Sequence, residues 1–185
     1  MKEISYTNNF ILIGVIAGLV AVLDWIGVVG FPIGVFSVSA FYIGSAFFTA
    51  FAIWFKWKAL IAIYIGLLIG ALLAGTFTVF AFVLALGNVF GAMIPMLVFS
   101  HKKLNKELKS LKDYIAFILS ATIGQNVFSA IYVLGGFVIF GIIPLEALKV
   151  ALIGWIVGGM IVSVVIGIPL LKFLSPVIKK TSLVR

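Results

Sequence analysis

Seven side chains in this sequence have the types and positions to hold a small molecule. Asp24 is followed by Trp25. Asn88 lies within Gly87-Asn88-Val89-Phe90-Gly91. Gln125 and Asn126 are neighbours, with Tyr132 beyond them, and Trp155 comes later. Each lies inside or at the edge of a long apolar run. An amide or carboxylate surrounded by hydrocarbon must find a partner, either on another helix or on a ligand. Aromatic walls with a few orienting polar groups are the usual make-up of a small-molecule site. Bonding between helices remains open for the amides, and a simple interfacial position remains open for Asp24. The sparse charge among the seven disfavours a strongly anionic solute, and Asp24 leaves room for a cationic or amine-bearing one.

The same residues exclude most catalysis. There is no cysteine, and the one histidine, His101, stands beside lysines in a short polar segment. No His-Glu-x-x-His pattern, paired aspartates or glycine-rich phosphate loop is present, so neither an enzyme activity nor a metal or cofactor site is expected. An ATPase site is not expected in this chain either.

The elements that must position these residues follow from composition. Hydrophobic residues make up 64% of the chain and charged residues 10%, with a mean hydropathy of +1.36. A soluble chain of 185 residues could not hide that much apolar surface. Six apolar runs are expected to be transmembrane helices: about 10–29, 33–55, 59–74, 77–99, 114–140 and 145–174. The fold class is therefore an all-α integral membrane protein, a six-helix bundle forming a single domain over residues 1–185. The first run is long and lacks a clear cleavage site, so it reads as a helix and not as a removed signal peptide.

Charge sets the orientation. Of the 13 basic residues, Lys2, Lys56, Lys58, Lys102, Lys103, Lys106, Lys109, Lys112, Lys172, Lys179, Lys180 and Arg185 fall on one side of a six-span topology, and only Lys149 on the other. Basic residues flanking spans stay in the cytoplasm, so both termini are expected there, in a multi-pass protein of the cell membrane. Trp25, Trp54, Trp57 and Tyr114 fall near the expected membrane interfaces. The net charge of +8 is confined to segments that flank apolar runs. That is a pattern for anionic membrane lipid and not for nucleic acid. Glu146, just after Pro144, suits the first turn of the last helix, and Lys149 is spaced to pair with it.

Two further features concern partners. Gly14, Ala17, Gly18 and Ala21 form a strip of small residues on the first helix, suited to close helix packing within the chain or with a separate subunit. Leu104, Leu108 and Leu111 recur at helical spacing among lysines, which predicts a short amphipathic helix at the cytoplasmic surface.

Six spans, the Ala17/Ala21 strip and the stretches Ile65-Gly66-Leu67-Leu68-Ile69-Gly70-Ala71, Leu86–Ala92 and Leu152–Leu170 together resemble the substrate-binding (S) component of energy-coupling factor transporters. The resemblance covers most of the chain and rests on architecture more than on a sharp signature. It implies an outward-facing site for a vitamin or related micronutrient, capped by the loop between the first two helices, here Asp24 to Gly34. It also implies that Ala17 and Ala21 pack on a transmembrane coupling subunit, with a pair of ATPases supplying energy. Two other readings compete. The Gly-Asn texture of the fourth run is similar to membrane sensor modules of the MASE1 type, which normally precede an output domain. A structural subunit of a membrane complex would bind no solute at all.

Overall fold

The computed structural model describes residues 2–32, 34, 36, 38, 39, 41–101 and 104–181, with side chains from residue 7 onward. Ile33, Lys102, Lys103 and Arg185 lie outside the described residues, as does the side chain of Lys2.

Six helical stretches follow one another: α1 (Lys2–Gly30), α2 (Gly44–Phe55), α3 (Trp57–Leu73), α4 (Ala81–His101), α5 (Leu111–Ile139) and α6 (Leu145–Lys180). Among the described residues the sole β feature is an isolated bridge between Pro32 and Ser39. Four stretches are long and apolar enough to cross a membrane: Thr7–Gly30 within α1, and α4, α5 and α6. Their outward faces carry large apolar side chains such as Phe10, Leu19, Leu97, Ile131 and Val165. A water-soluble surface rarely carries so continuous an apolar cover, and the chain has the make-up of a helical membrane protein.

The second helix departs from expectation. It starts at Gly44, not near residue 33, and has 12 residues. At 1.5 Å per residue it is about 18 Å long, well short of the roughly 30 Å hydrocarbon layer. Pro32 and Gly34, the latter at φ 78°, precede it in a non-helical connection. Eleven of the 12 residues of α2 are buried. It contacts α1, α3, α4 and α6, so the shortest helix is the central one. At its other end Lys56 takes φ 56° and turns the chain directly into α3.

Close approach of α1 and α3 depends on glycine. A Cβ on Gly66 would lie 2.6 Å from the Ala17 carbonyl oxygen and from Val20. Ala17 and Ala21 are accordingly buried, at 4% and 3% exposure. The face proposed from sequence for a coupling subunit is therefore covered by this chain's own third helix. Gly14 and Gly18, one helical face away, are exposed.

α5 begins earlier than its apolar run. Ser110 caps it: the Ser110 hydroxyl accepts from the Asp113 amide, and Asp113 Oδ2 accepts from the Ser110 amide at 2.9 Å. Asp113 Oδ1 also accepts from the Asn105 amide at 2.9 Å, folding residues 105–113 back on themselves. The expected amphipathic helix over Leu104, Leu108 and Leu111 does not form. Leu108 takes φ 51° and is buried, while Leu111 is exposed in the first turn of α5. Leucines at helical spacing gave way to a strong local cap.

Wider π turns interrupt the last two helices, at Ile118–Gln125 in α5 and at Ser163–Gly167 and Leu170–Leu174 in α6. Pro169 lies between the latter two and has no N–H to give to a regular ladder.

The lysine-bearing segments meet at one end of the bundle. Lys58 Nζ donates to Asn9 Oδ1 at 2.7 Å, tying the start of α3 to α1. Trp54 Nε1 donates to Ser175 Oγ at 2.8 Å, and Ser175 Oγ donates to the Lys106 carbonyl at 3.0 Å. Trp54 is thus a buried joint, not an interfacial ring. Burial, with Lys56 nearby, holds the Lys106 ammonium below the usual lysine range. Glu146 does occupy the first turn of α6, but it makes no ion pair with Lys149 among the described residues.

Candidate solute-binding cavity

At the opposite end, over the start of the short α2, the other helices line a half-open cavity of about 80 Å³. α1 contributes Asp24 and Val28, α3 Leu67 and Ala71, α4 Leu84 and Asn88, α5 Val133 and Phe137, and α6 Trp155. The connection between α1 and α2 adds Phe36, Ser39 and Tyr42. Drug-sized ligands occupy roughly 300–1,000 Å³, so this site in its present form suits a solute of a few heavy atoms.

Asp24 is 7% exposed. Its Oδ1 accepts a hydrogen bond from the Tyr42 hydroxyl. Glycines make room for both groups. A Cβ on Gly70 would lie 2.7 Å from Asp24 Cβ, and one on Gly27 would lie 2.8 Å from the Tyr42 ring. Tyr42 and Trp155 face one another with ring centres 6.1 Å apart and planes tilted by 38°. Phe36 meets Phe137 edge-on at 5.8 Å.

Several polar groups of the cavity lack a protein partner. The Ser39 hydroxyl is buried and has no hydrogen bond among the described residues. The amide of Asn88 and the indole N–H of Trp155 make none with the described residues. Of the three only the Ser39 hydroxyl is fully buried, where a polar group is normally paired; Asn88 and Trp155 are half-buried, and together they offer a ligand open donors and acceptors.

The seven residues singled out from sequence divide. Asp24, Asn88 and Trp155 line the cavity. Gln125 and Asn126 lie deeper and serve the fold. Gln125 Oε1 accepts from Thr49 Oγ1 at 2.6 Å, and Gln125 Nε2 donates to the Ser45 carbonyl at 3.0 Å, joining α5 to α2. Asn126 Nδ2 donates to Ser163 Oγ at 3.1 Å and to the Thr122 carbonyl at 2.9 Å, joining α5 to α6. Trp25 is 42% exposed on the outside of α1. Tyr132 packs between Phe90 and Phe128 and does not border the cavity. Trp25 points about 100° around the helix from Asp24 and does not line the cavity.

Sequence reasoning missed Tyr42, Ser39 and Phe36. They belong to a stretch read as the start of a membrane helix, and nothing in its composition marks it as a cap. The loop assigned to that role began at Asp24, but Asp24 is still helical.

Comparison with known protein families, curated proteins and solved structures gave no match to this chain.

Proposed function

We propose that this protein is a membrane-embedded solute-capture component of an importer, with six spans, both termini cytoplasmic and the cavity open toward the outside. The carrying observation is the separation of the two ends. Lysine-bearing segments meet at one end, and partially unpaired polar groups surround a cavity at the other. Basic ends stay in the cytoplasm, which would put the cavity on the side from which a scarce nutrient arrives. The short α2 leaves room above it for the site, and Phe36, Ser39 and Tyr42 before it supply part of the wall. This arrangement agrees with the resemblance to energy-coupling factor S components. On that reading a transmembrane coupling subunit and an ATPase pair supply the energy. Their docking face is not the buried Ala17/Ala21 strip. The size of the cavity favours a small micronutrient over a large vitamin.

Native mass spectrometry of the protein, gently extracted from its host membrane, tests this reading. A retained small molecule that is lost in Trp155→Ala, together with co-extracted ATPase subunits, is the expected result. A ligand-free assembly with subunits unrelated to transport would replace the proposal with the structural-subunit reading.

A further inference from the structure

The cavity holds a buried carboxyl group that no basic side chain among the described residues pairs. Asp24 is buried within α1. Among the described residues no lysine or arginine reaches it, and the one ion pair, Lys109 with Glu107, lies at the other end of the bundle. Tyr42 supplies a hydrogen bond but no charge. Lys149, the one lysine of α6 toward the cavity end, is exposed and does not line the cavity. A carboxylate at this depth is costly without a positive partner.

The walls fit such a partner. Tyr42 and Trp155 present aromatic surface on the side of the cavity that includes Asp24, and the faces of such rings attract cations. Ser39 Oγ and the Asn88 carbonyl oxygen are open to accept hydrogen bonds from ammonium N–H groups. Among the described residues no basic side chain lines the cavity to bind an anion.

We infer that the site takes a small organic ammonium, with Asp24 as its counter-ion, Tyr42 and Trp155 as its aromatic walls, and Ser39 and Asn88 as hydrogen-bond acceptors. This inference rests on the solute-capture reading and narrows it to a substrate class. Asp24 then has two tasks. Its bond to Tyr42 fixes the wall, and its charge selects the ligand.

The test is a ligand-observed NMR titration of the full chain in lipid nanodiscs with propylammonium, propan-1-ol and propionate. Propylammonium is expected to bind at least about tenfold more tightly than propan-1-ol, and propionate more weakly than either. Asp24→Asn keeps the side-chain shape and an acceptor for Tyr42, and should remove the preference for the cation. Trp155→Ala should weaken all binding at the site. Equal binding of the alcohol and the ammonium to the wild type, both lost in Trp155→Ala, would overturn the charge assignment and leave solute capture standing. If none of the three probes binds in a Trp155-dependent way, and the extracted protein retains no solute, both readings fall. Should Asp24→Asn not fold, the wild-type comparison of the three probes decides alone.

Discussion

Two levels of the bundle carry the same kinds of polar residue and use them differently. At mid-depth, Thr49, Gln125, Asn126, Ser129 and Ser163 hydrogen-bond with one another or with backbone carbonyls, the Thr122 hydroxyl being the exception among the described residues. At the cavity level, Ser39, Asn88 and Trp155 keep donors and acceptors open. An amide in a membrane helix can therefore be a joint or a ligand contact, and residue type does not distinguish them. Geometry does. Asn126 faces Gly159, where the lack of a side chain on α6 admits its amide, whereas Asn88 faces a space that no helix fills.

This contrast can be broken in order of effect. The largest loss should come from the seam between α1 and α3. Gly66→Leu would force α1 from α3, because its Cβ alone would lie 2.6 Å from backbone. A cost of about 3 kcal/mol or more is expected, read as loss of folded protein on heating in detergent. Asn126→Leu should cost about 1–2 kcal/mol in the same assay, since Ser163 loses its partner and the widened turns of α5 and α6 come apart. Solute retention by the protein that remains folded should change by less than about twofold. Asn88→Leu should reverse that pattern. Stability should stay within about 0.5 kcal/mol, because no protein bond is lost. Retention of the native solute should fall about tenfold in equilibrium dialysis. If Asn88→Leu instead behaves like Asn126→Leu, the distinction between joint and contact fails. The smallest effects are expected at Trp25→Ala and Tyr132→Phe, with retention unchanged for both. A loss at Trp25 would place a binding surface on the outside of α1.

A second contrast concerns what could be read in advance. The long apolar runs of α1, α4, α5 and α6 were legible because hydrocarbon length and composition identify them without reference to neighbours. α3 was placed almost to the residue by Lys56 to Lys58 at one end and Gly75 at the other. α2 was misjudged because residues 31–43 are as apolar as a helix. Of the described ones, Phe36, Ser39 and Tyr42 border the cavity while Phe31 and Phe41 are exposed, and hydropathy cannot separate such a stretch from a helix in lipid. The leucine pattern after α4 misled for a related reason. It matched helical spacing, but the Ser110-x-x-Asp113 cap was the stronger local signal and went unread.

Sequence by itself determined the class, the long helices and the segregation of lysines, since each follows from the cost of placing charge or bare backbone in hydrocarbon. It also supplied three of the residues around the cavity, because isolated polar groups in apolar runs are few. Only the tertiary structure decided which of them share a site. Helix rotation turned Trp25 and Tyr132 away. The glycines at 66 and 70 drew α3 over Ala17 and Asp24, and the turn before α2 brought Tyr42 to the carboxylate. Those outcomes depend on contacts between segments far apart in the chain, and no local pattern encodes them.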